Sequence, residues 1–413
     1  MGKIFLVYND TVYTYEQLLL DLNSKEAGYS YLYVKDNHPY EVFLGIIHSL
    51  LFDYPLEILD GDFSEQEIRE LGVDTNLLTT KVLKHEGLHF RSMDEVMRRI
   101  YKIEQWMLTL YTSGTTGRPK KMGHTFDTLT RNVKVHAKFK HSIWAFAYNP
   151  THMAGIQVFF QAFLNQNPLV YMFGKSMSNI KILMKTYQIT HISATATFYR
   201  NILPYLQGKT YPTIERVTFG GEKFDLLLEE KIKNAFPNSK ITNIYASTEA
   251  GSLFAAKSDV FEIRPEYKQL VKITAQRELC IHRSLLGKSH SLENEWFQTG
   301  DFVETIDETH FKFQSRQSDM INVGGYKVNP IEVENLLMQV PGIIDVVVKS
   351  KKNSVTGEVL VADVIKCEEL DEKELKKEIK QFATTHLQAW KVPRIIKFVD
   401  ELLITRTGKK VRK

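Results

Sequence analysis

The stretch Leu110-Tyr111-Thr112-Ser113-Gly114-Thr115-Thr116-Gly117-Arg118-Pro119-Lys120 follows an apolar, strand-like run and has the residue types that meet an anion. Gly114 and Gly117 let backbone amides converge, the hydroxyls of Ser113, Thr115 and Thr116 add donors, and Lys120 adds a full positive charge. A polyphosphate needs that combination. The loop is not of the Walker type, because Pro119 stands where the second glycine should be and Lys121, not Ser or Thr, follows Lys120. Taken alone, such a string also suits an ordinary polar loop. Four further segments add weight. Thr218-Phe219-Gly220-Gly221-Glu222 ends a strand in a glycine pair, over which a flat ring can approach the backbone. Tyr245-Ala246-Ser247-Thr248-Glu249-Ala250-Gly251 supplies an aromatic face, hydroxyls and a carboxylate able to hold Mg²⁺. Trp296-Phe297-Gln298-Thr299-Gly300-Asp301 brings a carboxylate that can accept from ribose hydroxyls. Arg316, and Lys409 in the basic segment 405–410, supply the remaining charges.

These groups need a scaffold, and the hydrophobic pattern describes one. Residues 4–8 and 11–13 read as a hairpin around Asn9-Asp10, followed by a helix with Thr14 and Gln17 as its capping box. Strand-like runs at 31–34, 106–111, 169–173, 189–193 and 216–219 then alternate with helical patterns such as 40–51. That alternation predicts an α/β fold with mostly parallel sheets covered by helices. From Glu278 the segments become shorter and more alternating (278–282, 302–306, 311–314), and they end at the polar string Ser315-Arg316-Gln317-Ser318-Asp319. A domain boundary is placed there. Beyond it lie a helix at 330–339, strands at 344–350 and 359–365, and a charged helix opened by Asp371 and Glu374, with Leu375, Ile379 and Phe382 on one face. The expectation is a large N-terminal domain of several subdomains, 1–317, and a small mobile α+β domain, 318–413.

Composition removes other classes. Among 413 residues, 53 basic against 49 acidic groups leave a net charge of +4 with the basic residues scattered, which argues against nucleic acid as partner. The longest apolar run, 43–52, falls well short of the ~20 residues that cross a bilayer, so no membrane span is expected. Cys280 and Cys367 form no Cys-x-x-Cys pair, which speaks against disulfides and structural zinc and for a reducing cytoplasm. His85-Glu86-Gly87-Leu88-His89 does match the two-histidine zinc hydrolase pattern. That mechanism needs a continuous helix, and Gly87 inside the pattern with Thr79, Thr80 and Val82 before it disfavours one.

In order and approximate spacing, the five segments resemble the adenylate-forming superfamily of acyl-CoA synthetases, peptide-synthetase adenylation domains and luciferases, from about residue 11 to the C-terminus. The resemblance implies activation of a carboxylate by ATP and Mg²⁺ to acyl-AMP and pyrophosphate, then transfer of the acyl group to a thiol. Carried over position by position, it sets 112–120 on the β- and γ-phosphates, Gly220, Gly221, Glu222 and Tyr245 around adenine with Tyr245 stacking, and Thr248 at the α-phosphate. It sets Glu249 on Mg²⁺, Asp301 and Arg316 on the ribose, and Lys409 between the carboxylate and the α-phosphate. The departures are Ser315, Ala246 and Arg277 where the family usually has glycine, Ser318 at the hinge, and Leu403-Ile404 near the end. None removes a charged catalytic group. The region ahead of the phosphate loop is also shorter than in most members.

The branch is read from two places. His152 occupies the position where amino-acid-activating domains keep an aspartate for the substrate ammonium, so an amino-acid substrate is disfavoured. Residues 322–334, with Pro330, look like the acyl- and aryl-CoA ligase version, and Gly325 would leave room for a pantetheine arm. Coenzyme A and the phosphopantetheine of a carrier protein both present that arm, so the acceptor stays open, as does the oligomeric state. The acyl pocket is expected among His152, Gly155, Gln157, Thr195, Phe198, Phe219, Ala246 and Gly251, mainly apolar or small, with an uncharged acyl or aryl tail as occupant.

Overall fold

A computed structural model describes residues 2–412 except 25–28, 79–82, 85–88, 113–119, 223–225, 290–293, 325, 354–356 and 406–408. At its centre is an eight-stranded sheet in the order Gly251–Ala256, Lys240–Ser247, Arg216–Gly220, His191–Ala194, Trp144–Phe146, Leu169–Tyr171, Ile4–Tyr8, Thr11–Thr14. Every pairing is parallel except the two at the edges. The inner strands are short continuous apolar runs because helices cover both faces. Trp144, Phe146, Leu169 and Tyr171 pack into one core cluster, while Ala145 and Val170 between them pack into another with Ile192, Val217 and Phe219. Side-chain alternation along each strand thus separates two cores.

A second sheet pairs Tyr33–Asp36, Leu56–Asp60 and Met107–Thr112 in parallel, with Lys120–Thr125 antiparallel to the last. A third, antiparallel, runs Val260–Glu262, His310–Arg316, Trp296–Thr305, Glu278–His282, Val271–Ile273. Residues from Ile321 onward build a core of their own around the strands Ile343–Asn353, Gly357–Lys366 and Ile395–Phe398 and the helices Pro330–Leu337 and Glu372–His386.

Several local expectations shift. The Thr14 hydroxyl accepts from Gln17 N, but the Gln17 side chain bonds Asp21 instead of closing the box. The strand expected from Ile189 starts at His191, because Thr190 uses its hydroxyl on Ile143 N and its carbonyl on Glu215 N and Arg216 N. In the helix Glu372–His386, Leu375 and Ile379 are buried with Ala383, and Phe382, half-buried, packs at the edge of the same core and against the His386 ring. The 3.6-residue period favours i, i+4, i+8 for a narrow contact.

Candidate active site

The carboxyl ends of neighbouring parallel strands are where open α/β sheets hold ligands. Here His191–Ala194 leads to Thr195, whose hydroxyl caps the helix Ala196–Leu206. Arg216–Gly220 leads to Gly221 at φ 81°, and Lys240–Ser247 leads to Thr248. These ends and the helix Met153–Phe163 enclose a cavity of about 260 Å³, into which Lys409 reaches from the C-terminal segment.

Gly221 lets Lys409 in. A Cβ at Gly221 would lie 3.1 Å from Lys409 Cε and 3.7 Å from Nζ, and the left-handed backbone independently favours glycine. Burial and, after it, the charge of Arg316 pull the Lys409 ammonium below its ordinary pKa, against the opposing pull of Glu222, Asp319 and Asp301. An ammonium so placed gains from an anion beside it. Glu222 is held by the start of the helix Ala196–Leu206, its carboxylate accepting from Thr197 N at 2.7 Å and Thr197 Oγ1 at 2.9 Å. Beneath the cavity residue, Lys410 is buried and donates to Asp345 Oδ1 at 2.5 Å and to the Val346 carbonyl at 2.7 Å. Arg200, on a helix of the large sheet, lies 4.0 Å from the same carboxylate oxygen.

Asp301 and Arg316 stand opposite each other on adjacent antiparallel strands. Asp301 is 1% exposed and takes Arg316 Nε at 2.6 Å, Arg316 Nη2 at 3.1 Å and the Tyr245 hydroxyl at 2.6 Å. Burial lowers the guanidinium's proton affinity, but the Asp301 bonds and charge outweigh it, so its pKa sits above the ordinary value. Tyr245 was expected beside adenine. In the structure its ring is buried against Phe254 and Phe261, with centroids at 5.7 and 6.3 Å, while its hydroxyl holds Asp301.

Thr248 lines the cavity, and its carbonyl is 2.7 Å from His124 Nε2. Burial draws the His124 pKa down to about 4, so near neutral pH the ring is uncharged and donates its Nε2 proton there. Gly287 N donates to the Glu249 carbonyl, pinning the next residue. The Glu249 side chain is half-buried and adds its charge to those around Arg316. One such carboxylate suits Mg²⁺, which keeps several waters and phosphate oxygens in its shell. No group of three or more His, Cys, Asp or Glu gathers as a metal site among the described residues. His89 is exposed, and His85 and Glu86 lie outside the described residues.

So do Ser113, Gly114, Thr115, Thr116, Gly117 and Gly325. Thr112 and Lys120 are backbone partners across the strand pair that flanks the loop. Ser318 sits in a single turn, Gln317–Asp319, between strands, its hydroxyl donating to Asp319.

The pocket's lining differs in part from the expected set. His152, Gln157, Thr195 and Ala246 line it. Phe219 does not: it is 1% exposed in the core beside Tyr199, and strand alternation gives the cavity Thr218 and Gly220 instead. Phe198 packs against the same core. Gly155 serves close packing, since a Cβ there would fall on the Asn149 carbonyl oxygen. Gly251, at φ 66°, abuts Gln157 from outside the lining. Sequence reading missed Trp144, Tyr148, Met153, Ser193, Thr218 and Ser252 in the wall. It also missed Asp60, 3% exposed, which accepts from Asn149 Nδ2 at 3.1 Å and lies 3.1 Å from His152 Nε2. The period-two pattern of residues 216–220 was the available signal for Thr218; Asp60, 92 positions from His152, gave none.

Comparison with known proteins agrees with this architecture. The family model described as AMP-binding enzyme matches residues 57–274, and the one described as AMP-binding enzyme C-terminal domain matches 332–409. The 2-succinylbenzoate–CoA ligase of Staphylococcus epidermidis is 24% identical over 462 residues, covering 100% of this chain and 94% of its own. The Listeria monocytogenes protein of the same name is 26% identical over 333 residues, covering 74% and 70%. A solved structure of the o-succinylbenzoate CoA synthetase (MenE) of Bacillus subtilis, in complex with the acyl-adenylate intermediate OSB-AMP, shares the fold at TM-score 0.67 and 20% identity, covering 100% of this chain and 94% of that one. With strand-end glycines and Lys409 meeting at one cavity, and a family match over more than half its length, the chain belongs to the AMP-binding enzymes.

Proposed function

We propose that this chain activates a carboxylic acid with ATP, forming an acyl-adenylate and releasing pyrophosphate, and then transfers the acyl group to the thiol of coenzyme A. One observation carries the reading: Lys409 enters the cavity that Gly220, Gly221 and Thr248 border. A carboxylate attacking a phosphorus in line needs its charge and that of the phosphate neutralised more than it needs a proton acceptor. Lys409 supplies that charge between the carboxylate and the α-phosphate, and the two anions restore the proton affinity that burial takes from it. Thr248 contacts the α-phosphate, 112–120 hold the β- and γ-phosphates, and Asp301 with Arg316 holds the ribose. Gly220 and Gly221 border the adenine. Glu249 would hold Mg²⁺, which neutralises phosphate oxygens.

For the second step the small domain, 318–413, turns about Ser318, withdraws Lys409 and brings Gly325 to the thiol channel. Relatives named as CoA ligases favour coenzyme A over a carrier protein. Two free cysteines suit a reducing, cytoplasmic setting, and no helix among the described residues is long and apolar enough to cross a membrane. The test is acid-dependent release of AMP and pyrophosphate from ATP, followed by thioester formation with coenzyme A. ADP as product, or no turnover with any acid across fatty, aryl and short-chain panels, overturns the proposal. AMP formation without thioester from coenzyme A, but with acylation of a phosphopantetheinyl carrier, moves the acceptor and leaves the first step standing.

A further inference from the structure

The helix Met153–Phe163 presents Met153, Ala154, Gln157, Val158 and Gln161 to the cavity. Its two glutamines differ. Gln161 is satisfied at both ends, accepting from Lys134 N and donating to Lys134 O at 3.1 Å each. Gln157 has no hydrogen bond from its amide among the described residues, though it lines the cavity and is half-buried. The hydroxyls of Thr218 and Ser252, also in the wall, likewise have no protein partner among the described residues. All three residues are half-buried and line the cavity, so their polar groups are free to bond a ligand held there.

We infer that the acid taken by this site is short or single-ringed and carries an uncharged hydrogen-bonding group on its tail, a hydroxyl, carbonyl or amide, which Gln157 selects with help from Thr218 and Ser252. The inference rests on the adenylation reading and deepens it. Size follows from the volume: about 260 Å³, shared with the end that holds Lys409, is below the ~300–1,000 Å³ usual for ligand pockets. The neutral tail follows from the lining, in which, among the described residues, Lys409 is the one permanently charged side chain. Of the other titratable groups there, His152 is already beside the buried Asp60 carboxylate, and the Tyr148 phenol, its pKa pushed up by burial, stays neutral. A carboxamide both donates and accepts, so it can meet any of the three neutral groups.

The experiment measures acid-dependent pyrophosphate release for size-matched pairs: 4-hydroxybutanoate with pentanoate, 3-hydroxybenzoate with 3-methylbenzoate, and 4-carbamoylbutanoate with 5-methylhexanoate. For at least one pair, kcat/KM for the polar member exceeds that for its apolar match by about tenfold or more. Gln157→Leu brings that ratio to near one, chiefly through KM. Thr218→Val, which keeps shape and removes only the hydroxyl, lowers the ratio severalfold and serves if Gln157→Leu does not fold. Preference for the apolar member throughout, or a ratio untouched by both substitutions, overturns the inference while adenylation stands. No AMP from any acid overturns the adenylation reading, and the tail inference with it.

Discussion

The corner made by Asp301, Arg316 and Tyr245 and the helical wall from His152 to Gln161 are both polar, yet their polar groups are used differently. In the corner, each group bonds another: two guanidinium nitrogens and a phenol converge on one buried carboxylate. Along the wall, Gln157 is left open beside Gln161, which is not. Under the proposed function the corner meets a nucleotide, which is the same in every turnover, so such a wall gains from being rigid before binding. A wall that discriminates among acids must leave its groups available, because a group already bonded to the protein cannot reject a ligand that fails to bond it.

The sharpest way to break the contrast is to remove the cation of the corner. Arg316→Leu leaves Asp301 buried without its counter-charge and lowers stability by about 3–5 kcal/mol, read by denaturant unfolding, whereas Gln157→Leu changes it little. Lys409→Ala lowers acid-dependent pyrophosphate exchange by roughly a hundredfold to a thousandfold, while thiolysis of supplied acyl-adenylate survives; equal loss of both rejects the division of labour. Acid tests the nucleotide side through His124. Its pKa is about 4 folded against 6.5 unfolded, so the unfolded chain binds the extra proton between those values and stability falls as pH drops from about 6.5 to about 4. The loss is about 3 kcal/mol, with a similar share from buried His191, also drawn down to about 4; His124→Gln removes its part of the slope in pH-dependent unfolding. Smallest is Phe219→Leu, about 1 kcal/mol of core packing. Acid selectivity measured on that variant should match the parent, since the side chain faces away from the cavity.

The alternation of strands and helices and the order of the glycine, tyrosine and aspartate motifs were legible because each is local in sequence. Asp301 and Arg316, 15 residues apart, could be set together from one antiparallel turn of chain. What escaped was parity and distance. Phe219 stands out by size, but the face of its strand decides its neighbours, and that face belongs to the core. Tyr245 stands out as a ring, but its packing against Phe254, its partner on the next strand, and Phe261 is set by register that the motif does not give. Asp60 behind His152 comes from a different sheet. The pocket looked apolar because glycines and aromatics were counted without knowing that Gly155 is occupied in packing and that Thr218 replaces Phe219.

Lys409 and Lys410 divide one short segment between two tasks. The first points into the cavity, the second downward onto Asp345 and the Val346 carbonyl, and Val411 N bonds the Leu403 carbonyl alongside. Neighbouring side chains of an extended segment leave on opposite sides, so the anchor fixes which lysine faces the cavity. Deleting a single residue just upstream would therefore be more damaging than many substitutions: it would turn Lys410 toward the cavity and leave the Asp345 carboxylate in the floor without its lysine. The segment works as a ratchet tooth that depends on its spacing and not merely on its charge.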